Sequence, residues 1–340
     1  MAVYEICETD PGRRGEAYGF AARDLIRLFL DDGLAQVNRL RRVPLAQEEV
    51  MGISRQFLAV LHDHLPGLGQ EVLGLARGAD ITPEQAMLLQ IRRELTGWGE
   101  DCTTLAFIDP EEGGTIAQTI DLSGDLRDYL CALRYRGATE HAGDILMWAY
   151  TGLLGYAGIN SHGLAVGINM VIGGVWRVGV PPYLLVRQLL GKTSIEACLE
   201  EIVRIPRASS RSLTLAQGGR LLIVEMTVLG HRVLEGSVLT HCNHFLHPDF
   251  TGEEQVSSQS TTYLRTQVLD SALSHDPRLD IARARILLAD HTNSPASICA
   301  HGREFKQGKT VSALVMSPAK GDLQICFGKP CSAPFERFSL

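Results

Sequence analysis

Positive charge is in short supply: 32 lysines and arginines face 39 aspartates and glutamates, a formal balance of −7. No basic field draws in a polyanion, which argues against nucleic acid as a partner. The stretch from Met1 to Gly19 lacks the basic start and apolar run of a secretory signal, so export by that route is not expected. An unbroken apolar run of membrane-spanning length is missing too. The longest uncharged stretch, Ile145 to Trp176, is interrupted by Gly152, Gly155, Gly158, Asn160, His162, Gly163 and Asn169, and reads as sheet. The eight cysteines include no CxxC pair, so no zinc ribbon or disulfide scaffold follows, and they read as reduced thiols of a cytoplasmic protein. Walker loop, Gly-x-Ser-x-Gly elbow and HExxH helix are all absent, and neither metal nor cofactor is expected.

What is present is an ordinary globular composition, 45% hydrophobic and 21% charged over 340 residues, with ample apolar surface for a core. Ala21, Leu25, Leu28 and Phe29 recur at helical spacing, as do Val50, Ile53, Phe57, Val60 and Leu61. Thr82-Pro83-Glu84 opens a further helix with a capping hydroxyl and a proline at the first helical position, running to about Gly97. From Cys102 the pattern turns to strands: Thr103 to Ile108 and Thr115 to Leu122 form a hairpin, followed by Ile145 to Thr151, Gly155 to Asn160 and Leu164 to Val171. After Pro181-Pro182 two helices follow, the second opening with Thr193 and Glu196 in capping-box spacing. Strands at 212–216 and 221–227, helices at 262–273 and 281–288, and a strand pair at 310–316 and 323–327 complete the chain. Blocks of helices and strands without regular βαβ units define an α+β fold, with two sheets between helical layers as one solution. No linker or repeat divides it, so one domain with a helical N-terminal segment is expected.

Two places carry chemistry. His241-Cys242-Asn243-His244-Phe245-Leu246-His247 crowds three imidazoles and a thiol into seven positions, yet no second ligand cluster accompanies it, which favours a polar strand end lining a cleft over a metal. Cys102 stands at the changeover from helix to strand, in Glu100-Asp101-Cys102-Thr103-Thr104. Here the sequence resembles the penicillin acyltransferase family, also called the acyl-CoA:6-aminopenicillanic acid acyltransferase or C45 peptidase family. These are N-terminal-nucleophile (Ntn) hydrolases whose precursor cuts itself before a Cys-Thr pair. Further segments resemble the family in order: Gly12 to Gly19, Arg92-Arg93-Glu94, Gln118-Thr119-Ile120-Asp121, Gly158 to Ala165, Cys242-Asn243-His244-Phe245, and Ser257 to Arg265.

The resemblance implies a four-layer αββα sandwich, with residues 1–101 as one chain after processing and 102–340 as the other, together one domain. It implies cleavage between Asp101 and Cys102, with Cys102 as nucleophile, Asn243 as an oxyanion-hole donor, Asp121 as the carboxylate orienting the α-amine, and Arg265 as a charged partner. Thr103 and Thr104 would support the site. The chemistry suits these residues. A cysteine thiol with its usual pKa of about 8.5 needs a base, and a released α-amine of pKa about 7.7–8.0 supplies one within the same residue. Asp101 stands where the family usually has glycine, and Thr119 where it usually has asparagine.

The expected function is therefore an autoprocessing acyltransferase or amidohydrolase, moving an acyl group from a small amide or thioester, acyl-CoA among them, to an amine or water. The alternatives are a non-catalytic, unprocessed relative acting as a small-molecule-binding or assembly module, and a structural oligomer joined through the Gly-rich sheet at 153–174.

Overall fold

The computed structural model describes residues 2–96, 102–141, 143–256 and 260–340. In chain order the elements are β1 (Ala2–Ile6), α1 (Pro11–Ala21), α2 (Arg23–Asp31), α3 (Val37–Leu40), α4 (Gln47–His64), α5 (Pro66–Ala79), α6 (Pro83–Thr96), β2 (Thr103–Asp109) and β3 (Gly113–Leu122). There follow β4 (Leu130–Tyr135), β5 (Ile145–Tyr150), β6 (Ala157–Asn160), β7 (Leu164–Met170), α7 (Pro182–Leu189), α8 (Ile195–Arg204), β8 (Arg211–Gln217) and β9 (Arg220–Met226). The last are β10 (His231–Glu235), β11 (Val238–His241), α9 (Pro248–Thr251), α10 (Thr262–His275), α11 (Ile281–Leu288), β12 (Lys309–Ser317), β13 (Asp322–Cys326) and β14 (Phe335–Ser339). The chain has the mixed α+β architecture with two sheets that the sequence leads one to expect.

Two compact units divide the described chain. The first comprises residues up to 96 with 128–157 and 176–209, and holds α1 to α8 with strands in the order β1-β4-β5. Helices α2 and α4 pack on one face each, whereas α6 and α7 are buried on nearly every side. In α2 that face runs through Ile26, Phe29 and Leu30, leaving Leu28 57% exposed, so the expected stripe through Leu28 is rotated toward Ile26 and Leu30. The cap of α6 is a reciprocal pair: Gln85 N donates to Thr82 Oγ1 at 3.2 Å and Thr82 N donates to Gln85 Oε1 at 2.9 Å. In α8 the cap is Ser194 rather than Thr193, because the Ser194 hydroxyl is the one that accepts from Ala197 N, at 3.2 Å.

The glycines of the N-terminal segment have a packing reason. Helices α1 and α5 meet backbone to backbone: a Cβ added at Gly74 would lie 2.0 Å from Gly12 O, and one at Gly78 would lie 2.0 Å from Glu16 O. Beside this contact Glu71 is buried between Arg14, whose Nη1 donates at 3.3 Å, and Arg187, whose Nη2 donates at 3.1 Å. Two guanidiniums on one carboxylate compensate its desolvation.

The second unit comprises the described residues of 102–127, 158–175 and 210–340 and carries the paired sheets. One is six-stranded, in the order β11-β2-β3-β12-β13-β14; strands β6-β7-β8-β9-β10 face it. The β2–β3 hairpin is the sequence-expected one, with Thr103 opposite Thr119, and its turn is held by Asp109 Oδ1, which accepts from Glu111 N and Glu112 N. Alternation then sorts the side chains. Even-numbered residues point between the sheets, where the Gln118 amide donates to Ile168 O and Thr104 Oγ1 donates to Asn169 Oδ1 at 2.6 Å. Odd-numbered Leu105, Phe107 and Ala117 join Leu269, Ala284 and Leu288 in a core beneath α10 and α11. Both faces of β2 are thereby covered, and its N-terminal end is delivered into the interior. Strand ends fall within one or two residues of the expected ones.

Candidate active site

Cys102 immediately precedes β2 and is 1% exposed. Its carbonyl oxygen is the meeting point of two side chains, accepting from Arg265 Nη1 at 2.7 Å and from Asn169 Nδ2 at 3.2 Å. Arg265 reaches it from the first turn of α10 and is fully buried. The same guanidinium donates from Nη1 to Thr103 Oγ1 at 2.7 Å, from Nη2 to Asn243 Oδ1 at 2.7 Å and from Nε to Thr261 Oγ1 at 2.9 Å. A planar fork of fixed donors is the side chain suited to tying several acceptors together, and each charge-assisted bond also compensates its burial.

Asn243 follows β11 and is oriented from three sides. Its backbone N donates to Thr262 Oγ1 at 2.7 Å, its Oδ1 accepts from Arg265, and its Nδ2 donates to Met170 O at 2.9 Å. An amide nitrogen carries two hydrogens, and the bond to Met170 uses one of them. Asn169 performs a similar service on the other sheet, donating to Cys102 O and His241 O while accepting from Thr104.

Asp121 lies on β3, fully buried, two residues beyond Thr119, and its Oδ1 accepts from Thr310 Oγ1 at 2.7 Å. Thr119 itself accepts at Oγ1 from Thr103 N at 3.1 Å, so a hydroxyl serves where the family pattern has an amide. Cys102, Thr103, Asn243 and Arg265 are thus joined directly, and Thr104 through Asn169. Asp121 is on the same strand and face as Thr119. Asp101, and residues 257–259 within the Ser257-to-Arg265 segment, lie outside the described residues.

The crowded 241–247 segment resolves into separate partnerships. His241 has both ring nitrogens against acceptors: Nε2 is 2.9 Å from Glu225 Oε1, and Nδ1 is 2.7 Å from Cys242 O. Each ring nitrogen thus faces an oxygen, and the buried ring ties Glu225 to the backbone of the turn. Glu225 also accepts from Leu246 N and His247 N. Burial pushes its carboxyl up, but the bond and charge of His241 and these two amides outweigh it and hold the carboxyl below its ordinary value. His244 bonds Thr262 Oγ1 at 2.8 Å, and His247 caps the short α9. The pair fixes the turn carrying Asn243. Burial pushes the Cys131, Cys198 and Cys326 thiols up to about 12, so each is protonated at neutral pH.

Thr119 stands out in the sequence only as a departure from the family pattern, His241 only as one of three crowded imidazoles, and Thr261 and Thr262 only within the Ser257-to-Arg265 segment. Asn169 shows only as a break in an uncharged stretch, and Thr310 and Glu225 carry no local signal, because these three are recruited through tertiary contact.

The described chain is a two-sheet α+β fold with a cysteine held at the head of a buried central strand, and comparison with known proteins gives its family. Residues 112–332 match the acyl-coenzyme A:6-aminopenicillanic acid acyl-transferase family, and the chain belongs to it. It is 24% identical over 348 residues to the acyl-coenzyme A:6-aminopenicillanic-acid-acyltransferase 40 kDa form of Emericella nidulans, covering 99% of this chain and 96% of that protein. Among solved structures it is similar to penicillin V acylase from Agrobacterium tumefaciens (TM-score 0.45, 12% identity, 70% of this chain and 86% of that one). It is also similar to the C2A mutant of conjugated bile acid hydrolase from Clostridium perfringens (TM-score 0.43, 11% identity, 70% and 97%). No helix among the described residues is long and apolar enough to cross a membrane.

Proposed function

We propose that this protein is an autoprocessing Ntn-type cysteine acyltransferase or amidohydrolase, cut between Asp101 and Cys102, with Cys102 as the nucleophile of both events. The observation that carries the reading is the buried Arg265 fork on the Cys102 carbonyl, Thr103 and Asn243. A catalytic cysteine has to be held while its bonds change, and the fork fixes the peptide plane on its C-terminal side.

Processing begins as the Cys102 sulfur attacks the carbonyl carbon of residue 101. The C–N bond breaks and leaves a thioester and a free α-amine. Water then cleaves the thioester, giving a carboxylate at 101 and restoring the thiol. In turnover the neutral α-amine takes the thiol proton, sulfur attacks the substrate carbonyl, and the amine returns the proton to the leaving group. Asn243 donates to the oxyanion, Asp121 orients the α-ammonium, and Arg265 and Asn169 hold the residue that carries both reacting groups. A fixed cation beside the site favours negative charge as it develops on sulfur and oxygen.

The donor is a small amide or acyl thioester, and the acceptor an amine or water. The family name points to acyl-CoA as a donor to try first. Eight free thiols suit a reducing, cytoplasmic setting.

The deciding experiment is the intact mass of freshly purified protein beside Cys102→Ala. Two fragments divided between Asp101 and Cys102, absent in the variant, are expected. A single uncut mass in both, with full turnover retained in the alanine variant, would remove Cys102 from the mechanism. Acyl-CoA with amines, set against N-acyl amino acids in water, then separates transfer from hydrolysis.

A further inference from the structure

Four side chains outside the acyl-transfer site converge at one point. His291, Cys299, His301 and Cys331 place one ligating atom each within 4.8 Å of all the others. They come from three stretches: the loop after α11, the segment leading into β12, and the loop between β13 and β14. His301 Nε2 lies 3.0 Å from His291 Nε2, 3.6 Å from Cys299 Sγ and 3.5 Å from Cys331 Sγ.

Proton sharing does not account for this arrangement. One imidazole nitrogen has a single in-plane direction in which to donate or accept, so three groups at bonding range cannot all be served by it. A cation between the four serves all at once. Tetrahedral zinc, with Zn–N of about 2.0–2.1 Å and Zn–S of about 2.3 Å, sets ligand atoms about 3.3–3.8 Å apart, near the span of these contacts. Two thiols and two imidazoles are also the donor set that selects zinc over magnesium or calcium.

We propose that His291, Cys299, His301 and Cys331 form a structural Cys2His2 site for zinc. Both thiols lose their protons on binding and both imidazoles bind neutral, so one Zn²⁺ enters and two protons leave. Four protein ligands complete the tetrahedron, leaving no position for a substrate or a reactive water.

The site clips the C-terminal loop to the segment behind Asp121. Between the ligands Cys299 and His301, Ala300 N donates to Thr310 Oγ1 at 2.8 Å, and Ala300 O accepts from Thr310 N at 3.0 Å. Thr310 Oγ1 in turn donates to Asp121 Oδ1 at 2.7 Å. The metal therefore fixes the residue that positions Asp121. The site does not depend on Cys102 being the nucleophile. Its ligands, at 291, 299, 301 and 331, have no zinc-motif spacing, so only the fold reveals them.

The test uses the full-length protein, loaded with zinc under reducing conditions and dialysed into metal-free buffer. Elemental analysis is expected to find about one zinc per chain, with about two protons released on loading. Cobalt substituted for zinc should give the intense visible bands of a tetrahedral site and a thiolate charge-transfer band. His291→Ala and Cys331→Ser alter exposed residues and spare the core; each should lose zinc at least about tenfold more readily and weaken the cobalt bands, with far-UV circular dichroism unchanged. Zinc below about a tenth of an equivalent, cobalt spectra indifferent to both substitutions, or a Cys299–Cys331 disulfide that reforms in place of metal binding would each overturn the proposal.

Discussion

Arg265 Nη1 stands 2.7 Å from the carbonyl oxygen of Cys102, a bond between residues 163 positions apart that ties the first turn of α10 to the head of β2. Neither residue has solvent to fall back on, since Cys102 is 1% and Arg265 0% exposed. Removing the guanidinium leaves Cys102 O, Thr103 Oγ1 and Asn243 Oδ1 without their shared donor. Arg265→Ala is expected to cost about 3–5 kcal/mol of stability, read from urea midpoints. Arg265→Lys keeps the charge but not the fork, and should slow both processing and turnover by about tenfold or more while preserving most of that stability. Equal stability losses in the two variants would show that the charge matters less than the packing.

Asn243→Ala is expected to lower kcat by about a hundred- to a thousandfold if its amide stabilises the oxyanion. Steady-state kinetics on processed protein checks this. A fall of less than about threefold would assign Asn243 to the support of Met170 O and Arg265 alone.

Asp121→Asn retains an oxygen to accept from Thr310 but loses the charge. The fold should survive with its melting temperature little changed, while turnover falls and its dependence on α-amine protonation shifts. A turnover equal to the parent's would mean that the carboxylate is structural.

Acid should destabilise the second unit in two stages. His244 is held below its ordinary value by burial, then by the positive charges of His241 and Arg265, with Glu254 and Glu225 opposing. Its unfolded form takes up a proton near pH 6.5, so its contribution is present above that pH and fades as pH falls toward the lower folded value. Glu225 is also depressed, so its contribution is present above about pH 4.3 and is lost as pH falls through its folded value. Urea midpoints across this range should decline in both windows. His244→Gln should flatten the upper one and Glu225→Gln the lower; a decline untouched by either would place the acid sensitivity elsewhere.

The α1–α5 contact gives a paired test. Gly74→Ala forces a Cβ to within 2.0 Å of Gly12 O and should destabilise by about 1–3 kcal/mol or more. Gly52→Ala, in α4, meets nothing within 4 Å and should stabilise by about 0.5–1 kcal/mol, because alanine costs less backbone entropy in a helix. Differential scanning calorimetry compares the two directly.

Much of this architecture was legible where pattern and burial coincide. The β2–β3 hairpin, α11 and the Thr82 cap follow from alternation, helical period and capping chemistry. Strands β1, β10 and β14 were not legible. Each is five residues long with a mixed exposed and part-buried pattern, and takes its strand form from a neighbour: β1 runs parallel to β4, and β14 lies antiparallel to β13. In the candidate site, motif order points to Cys102, Asn243 and Arg265, which the structure joins by direct bonds. Asn169 and Thr119 were not assigned roles, because an asparagine and a threonine inside strands give no sign of which carbonyl or amide they will meet.

The 163-residue separation of the Cys102–Arg265 pair sets a clock during synthesis. At about 5–20 residues per second a ribosome needs roughly 8–33 s after Cys102 to reach Arg265. Until then the nascent chain has Cys102 but not the clamp on its carbonyl. If Cys102 is the nucleophile proposed above, a chain stalled before residue 265 would carry an unclamped thiol, and the order of translation would hold back self-cutting until α10 has begun.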